Sequence, residues 1–212
     1  MIDRYPVLLR LEGERCLVVG GGAVAERKVR GLLAVGAVVT VLAPEATAAL
    51  AGFVVDRTVA WEPRRYAGGD AAGAWRFVVA ATDDPAVNGR VVADAARVGT
   101  WANDASAPEG GPASLPAIHR QGPITVAVAT GGAHPGAAAW LRDLAAGAIR
   151  PEHVAAVELL AEVHNEAAAA GRAAARPDWR QAVDSGMLDL IREGRTAEAK
   201  ERLKACLSSS SD

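Results

Sequence analysis

The chain has 212 residues, half of them hydrophobic, and a formal net charge of −2. That length supports one large domain, or a domain with an appendage, around a sizeable core. The balanced charge leaves no basic footprint for nucleic acid, and no apolar run reaches the roughly 18–20 residues of a bilayer span.

The opening MIDRYPVLLRLEGER is too charged, and its apolar part too short, for a secretory signal. The first predicted strand is Cys16–Val19. A helix follows over about Ala23–Val35, with Gly36 as its stop. Val38–Leu42 reads as a strand buried on both faces. A short helix is expected over Glu45–Leu50, a third strand within Val54–Trp61, and a fourth over Trp75–Ala81. Asp84–Val98 reads as a helix with Pro85 in its first turn and Asp84 as N-cap. Thr100–Asn103 is a short fifth strand. Strand and helix alternate, so the expected fold class is α/β, a Rossmann-like doubly wound parallel sheet.

After Asp104 the rhythm changes. Ala105–Ala113 has loop composition, then Leu115–His119 and Ile124–Thr130 read as a hairpin. Pro135–Ile149 is helical. From Glu152 to Leu207 the pattern stays helical, with breaks near Gly171–Pro177 and Gly194. The alanine-rich tail has apolar stripes but few large side chains, so no separate core is expected there. These shifts divide the chain into 1–112, a nucleotide-binding domain, 113–150, a hairpin and helix for substrate or dimer contacts, and 151–212, a helical segment.

The most informative stretch is Arg15–Lys28, RCLVVGGGAVAERK. Gly20, Gly22 and Ala25 fit G-x-G-x-x-A between a strand and a helix. The first small residue permits the turn, the second lets a pyrophosphate approach, and the third lets helix and strand pack closely. Ala23 and Val24 open the helix, whose free N–H groups face an anion. Pro44 and Glu45 end the second strand about 20 residues later, where an acidic residue binds a ribose 2′-hydroxyl. No Arg or Lys lies between Gly31 and Asp56 to hold a 2′-phosphate, so NAD is expected over NADP. Thr82, at a strand end, is expected to border the cofactor. Thr130, Gly131 and Gly132 precede a helix and could form an anion nest.

No histidine pair has i, i+4 spacing and no cysteine lies near one, so no permanent metal site is expected. His119 and His134 read first as surface histidines, with proton transfer as the alternative, since nothing in the sequence identifies a partner; His153 and His164 read as solvated or packing residues. Cys16 reads as a buried apolar residue, and with no C-x-x-C pair a reducing cytoplasm is the expected compartment.

Taken together, the motifs resemble the precorrin-2 dehydrogenase/sirohydrochlorin ferrochelatase family, the N-terminal module of siroheme synthases. Tyr5-Pro6-Val7-Leu8-Leu9 is similar to its opening. Gly20–Lys28 is close to GGGxVAxRK, and Ala80–Asp84 with Asn88 to ATDDxxxN. Pro116-Ala117-Ile118 and Gly122-Pro123-Ile124 match its hairpin, and Thr130-Gly131-Gly132 with Pro135 its S/T-G-G-x-S-P element. The resemblance implies NAD as cofactor, oxidation of precorrin-2 to sirohydrochlorin, a homodimer built through C-terminal segments, and a stand-alone form of the module. Asn103 and Thr130–Gly132 would then bind the eight-carboxylate tetrapyrrole.

Some family members also insert ferrous iron, as a substrate. The family's favoured acid/base aspartate falls here at Ser106, and Asp104 lies two residues early. Asp104 and Ser106 are therefore the catalytic candidates, and iron insertion stays open. A serine needs an activating partner to act as a base. The alternative left by the glycine turn alone is a non-catalytic nucleotide sensor.

Overall fold

The structure is a computed structural model and describes residues 4–107, 110–132, 134–171 and 179–208. The chain divides into two compact units, 1–115 and 116–212.

The first unit is a five-stranded parallel sheet in the order β3-β2-β1-β4-β5. Its strands are β1 (Arg15–Val19), β2 (Val38–Leu42), β3 (Val59–Glu62), β4 (Phe77–Ala80) and β5 (Trp101–Asp104). β1 and β4 are continuous apolar runs because both of their faces are covered, and Cys16–Val19 and Phe77–Ala80 are all buried. One face packs with α1 (Ala23–Leu33) and α2 (Ala48–Val55), through Ala25, Val29, Leu32 and Leu50. The other packs with α3 (Pro85–Arg97), through Val91, Val92 and Ala95. Burying one such valine contributes roughly 1.5–3 kcal/mol. Burial also pushes the Cys16 thiol up to about 11, so it is an inert core residue.

Register places the site. Val19 pairs with Leu42 and with Ala80, and Ala80 pairs with Asp104. The carboxyl ends of four strands therefore stop at one level. The chain reverses direction across the sheet between β2 and β4, on either side of β1, and this is where such sheets hold ligands.

Two elements differ from the sequence reading. The helix expected at Glu45–Leu50 begins at Ala48, because Thr47 caps it: its Oγ1 accepts from the Leu50 N–H at 3.2 Å. That helix then takes Val54 and Val55, which leaves only Val59–Glu62 for β3. A short apolar run cannot be assigned to helix or strand by periodicity alone. Asp84 caps α3 as expected, accepting from the Ala86 and Val87 N–H groups at 2.8 and 3.3 Å.

The connection from β3 to β4 carries a 3-10 turn over Asp70–Ala72. Tyr66 secures it. Its hydroxyl donates to Asp94 Oδ2 at 2.6 Å, and the same oxygen accepts from the Gly69 N–H at 2.8 Å. Burial, reinforced by Asp94, pushes the Tyr66 phenol up to about 12; the hydrogen bond from Tyr66 holds Asp94 below its usual range.

In the second unit, β6 (Ala117–Gln121) and β7 (Ile124–Val128) form an antiparallel hairpin, and α4 (Pro135–Gly147) packs on both strands. α5 (Pro151–Ala169), α6 (Trp179–Ala182), α7 (Leu188–Arg192) and α8 (Thr196–Ser208) follow. Contrary to expectation, these helices make a core of their own. Leu159, Val163, Met187, Leu190 and Leu203 are buried together with Ala156, Ala182 and Ala199. Leu160, Val183, Leu188 and Ile191 pack against them, and the alanines let the helices approach closely. The break near Gly194 is present, with φ +77°. A further kink at Gly186, φ +93°, had no signal beyond one glycine. The other expected break falls mainly on residues 172–178, outside those described.

Candidate functional site

The glycine turn follows β1 directly. Gly20 has φ +124°, and a Cβ there would lie 2.3 Å from the Ala81 carbonyl oxygen. A Cβ on Gly21 would lie 1.9 Å from the Glu45 carbonyl oxygen. These two glycines let β1, β2 and β4 ends converge. Gly22 is different: a Cβ there meets nothing within 4 Å. Its open side is the space a pyrophosphate needs. Gly22 is also the N-cap of α1 and supplies no side-chain cap. The first N–H groups of a helix have no partners within it, so those of Ala23 and Val24 present an uncapped, partly positive helix end. Ala25 is fully buried, as close packing on the sheet requires.

A cavity of about 790 Å³ opens over this turn, within the size range of cofactor sites. The predicted cofactor residues Gly20, Gly22, Ala23, Val24, Pro44, Glu45 and Thr82 all line it. So does Ser106. Glu26 sits behind the turn, where it accepts from Thr47 Oγ1 at 2.8 Å; Arg30, with Thr47, holds its carboxyl below the usual range. The glycine cradle and the uncapped helix thus fit a dinucleotide's diphosphate.

Sequence reasoning missed several lining residues. Arg65 and Tyr66 come from the loop after β3, and Val87 and Arg90 from α3. No local motif marks them, because only the fold brings them to the turn. Arg65 and Arg90 also qualify the argument for NAD: no cation lies between residues 31 and 56, yet tertiary structure delivers two from outside that window.

Asn88 was visible only as the last position of the ATDDxxxN likeness. It is fully buried. Its Oδ1 accepts from the Thr82 N–H at 3.0 Å and from Thr82 Oγ1 at 2.7 Å. Its Nδ2 donates to the Thr82 carbonyl and to Ser106 Oγ, both at 3.1 Å. Backbone partners on both sides fix which end is the amide nitrogen. Asn88 therefore ties the end of β4 to the turn after β5.

Asp104 closes β5, where it is 6% exposed and lies behind the cavity lining. Its Oδ1 accepts from Ser106 N–H at 2.8 Å, Ser106 Oγ at 2.6 Å and Ala107 N–H at 3.1 Å. The structure thus supplies the partner that the serine lacked in sequence. Asn103 is 2% exposed and does not line the cavity; its Nδ2 donates to the Ala113 carbonyl at 3.1 Å.

Thr130, Gly131 and Gly132 belong to the second unit, between β7 and α4, and both glycines have positive φ. The helix end beside them differs from expectation. His134 caps α4: its Nδ1 accepts from the Gly136 N–H at 3.0 Å, and its carbonyl accepts from Ala137. Pro135 has no N–H to offer. Those donors are already used, so the expected nest draws on Gly131 and Gly132 rather than on those N–H groups of the helix. His153 likewise accepts at Nδ1, from the Arg150 N–H. His134 is thus an N-cap and His153 the N3 partner of a capping box, roles that residue type and spacing alone do not reveal. Among the described residues no group of three or more His, Cys, Asp or Glu could hold a metal, and no helix is long and apolar enough to cross a membrane.

Comparisons with known proteins agree with this geometry. Residues 7–117 match the family NAD_binding_7, described as "Putative NAD(P)-binding". The chain is similar to siroheme synthase 3 of Aeromonas hydrophila, 38% identical over 160 residues, 76% of this chain and 34% of that protein. It is similar over 95% of its length to the siroheme synthase of Methylococcus capsulatus, at 33% identity and 43% of that protein. The chain thus spans less than half the length of these relatives. Among solved structures it is similar to SirC, a precorrin-2 dehydrogenase, with a TM-score of 0.73 and 25% identity over 96% of this chain and 98% of that one. With the glycine turn, the uncapped helix and the parallel sheet all inside the matched residues, the chain belongs to the NAD_binding_7 family of NAD(P)-binding proteins.

Proposed function

We propose that the protein is an NAD-dependent precorrin-2 dehydrogenase, oxidising precorrin-2 to sirohydrochlorin in siroheme biosynthesis, in the cytoplasm. The observation that carries this reading is the likeness to SirC over nearly the whole of both chains, in a molecule whose own glycine turn opens on a dinucleotide-sized cavity. Bound NAD would supply the hydride acceptor. The protein's part is to bind, align and manage one proton. The N–H groups of Ala23 and Val24 hold the diphosphate, Gly22 gives it room, and Glu45 takes the ribose hydroxyls. Thr82 borders the cofactor from the end of β4. Asn103 holds the chain beside β5, and Ser106 and Asp104 serve the proton. Thr130 with the Gly131 and Gly132 N–H groups is assigned to a substrate carboxylate. Incubation with precorrin-2 and NAD should produce the sirohydrochlorin spectrum. Binding of NAD without conversion would leave the nucleotide-sensor reading instead. Iron insertion is expected to be weak: it must shed two pyrrole protons, whereas the acceptor reached through Ser106 takes up one.

NAD should bind more tightly than NADP, despite Arg65 and Arg90. Glu45→Ala should narrow that preference roughly tenfold, by removing both a ribose partner and a charge that repels a 2′-phosphate. Calorimetric titration with the two nucleotides measures it, and tighter binding of NADP to the natural protein would refute it.

A homodimer is part of the same reading. On α4, Trp140 and Leu144, four residues apart, are 65% and 64% exposed, and a contiguous exposed apolar patch marks an interaction site. Trp140→Asp with Leu144→Asp should shift sedimentation from dimer to monomer while the fold persists. An unchanged dimer would place the interface elsewhere.

A further inference from the structure

We infer that Ser106 is a proton-relay residue, handing a substrate proton to Asp104; this rests on the dehydrogenase reading above. Ser106 lines the cavity, whereas Asp104 is buried behind it. The cavity therefore meets the hydroxyl, not the carboxylate.

The direction of the relay follows from counting hydrogens. Ser106 Oγ has one proton and two lone pairs. Asn88 Nδ2 donates to it at 3.1 Å, and the backbone contacts of Asn88 forbid the flipped amide. One lone pair is thus taken, and the proton must point to another acceptor. Asp104 Oδ1 is that acceptor at 2.6 Å, a length typical of a hydroxyl on a carboxylate. The second lone pair remains for the cavity. Ser106 is held as an acceptor toward the ligand and a donor toward Asp104.

Oxidation of the substrate removes a hydride and a proton. Bound NAD would supply the hydride acceptor. As the new double bond forms in the macrocycle, the released proton binds Ser106 Oγ, and the hydroxyl's original proton moves to Asp104 Oδ1. Serine ends neutral and the carboxylate ends protonated, so atoms and charge balance. Asp104 acts through Ser106 and is a positioning residue and proton acceptor at one remove. Asn88 fixes the hydroxyl's orientation.

The test uses the full chain with precorrin-2 and NAD. Asp104→Asn keeps an Oδ1 that can accept from Ser106 and Ala107, so the turn survives, but it cannot take the proton. Ser106→Ala removes the relay atom. Each should lower kcat by about 100-fold, the scale of a lost acid–base group, with NAD affinity within about threefold of the natural protein. Ser106→Asp combined with Asp104→Asn puts a carboxylate at the cavity and should recover most of the activity lost in Asp104→Asn, which a merely structural Asp104 would not allow. In the cofactor-free protein, the Asn88 side-chain amide proton should move upfield in NMR spectra of Ser106→Ala. Either single variant retaining near-natural kcat, a double variant as slow as Asp104→Asn, or an unmoved Asn88 resonance overturns the relay. No conversion by the natural protein overturns the dehydrogenase reading, and the relay with it.

Discussion

Gly22→Asp will leave a folded protein that no longer binds NAD. Its backbone has φ −82°, which any residue adopts, and a Cβ there touches nothing within 4 Å. The variant should therefore melt within a few degrees of the natural protein, and its side chain could even cap α1, as Asp does well. The binding consequence is opposite in kind. The carboxylate would fill the space kept for the diphosphate and set a negative charge against it, at the helix end whose N–H groups attract that anion. We expect NAD affinity to fall at least about 100-fold, or roughly 2.7 kcal/mol. Calorimetry and thermal melting read the two effects separately. Unchanged affinity in a folded variant would place the cofactor elsewhere.

One residue earlier, the same kind of change should damage the fold. Gly21→Ala places a methyl group 1.9 Å from the Glu45 carbonyl oxygen and 3.0 Å from the Ala43 Cβ. The oxygen belongs to the backbone and cannot rotate aside. Gly21 is held in turn by its own carbonyl, which accepts from the Thr47 N–H at 3.0 Å, so the loop before α2 and the glycine turn must separate together. Overpacking of this kind costs about 3 kcal/mol or more and should lower the melting temperature by roughly 10 °C. NAD affinity would fall as well, but only alongside stability. A Gly21→Ala protein as stable as the natural one would mean that the turn is not packed as described.

These neighbours show what the sequence made legible. G-x-G-x-x-A marked Gly20 and Gly22, yet it treats Gly21 as a free position, and the structure makes it as obligatory as Gly20. The need arises from β2's end, over 20 residues away. β1 and β4 could be read because parallel strands covered on both faces are unbroken apolar runs, and β2 because only a single threonine interrupts its run. α2 could not be placed, since Ala48–Val55 has no polar stripe to set its period and Thr47 is an inconspicuous cap. The C-terminal core escaped notice because alanine contributes by allowing close approach rather than by its own area. In the site, residues adjacent to strand ends were found, whereas Arg65, Tyr66 and Arg90 arrive through tertiary contacts. Asp104 and Ser106 were singled out separately, but their hydrogen bond is a property of the turn after β5. Asn88, the residue that orients that pair, carried no chemical signal of its own.

The most direct test of the central claim is the stoichiometry of the reaction. Purified protein, precorrin-2 and NAD, without added metal, should yield one NADH for each sirohydrochlorin formed, and Gly22→Asp should yield neither. Bound NAD with no sirohydrochlorin, or sirohydrochlorin formed at the same rate without NAD, would contradict the account.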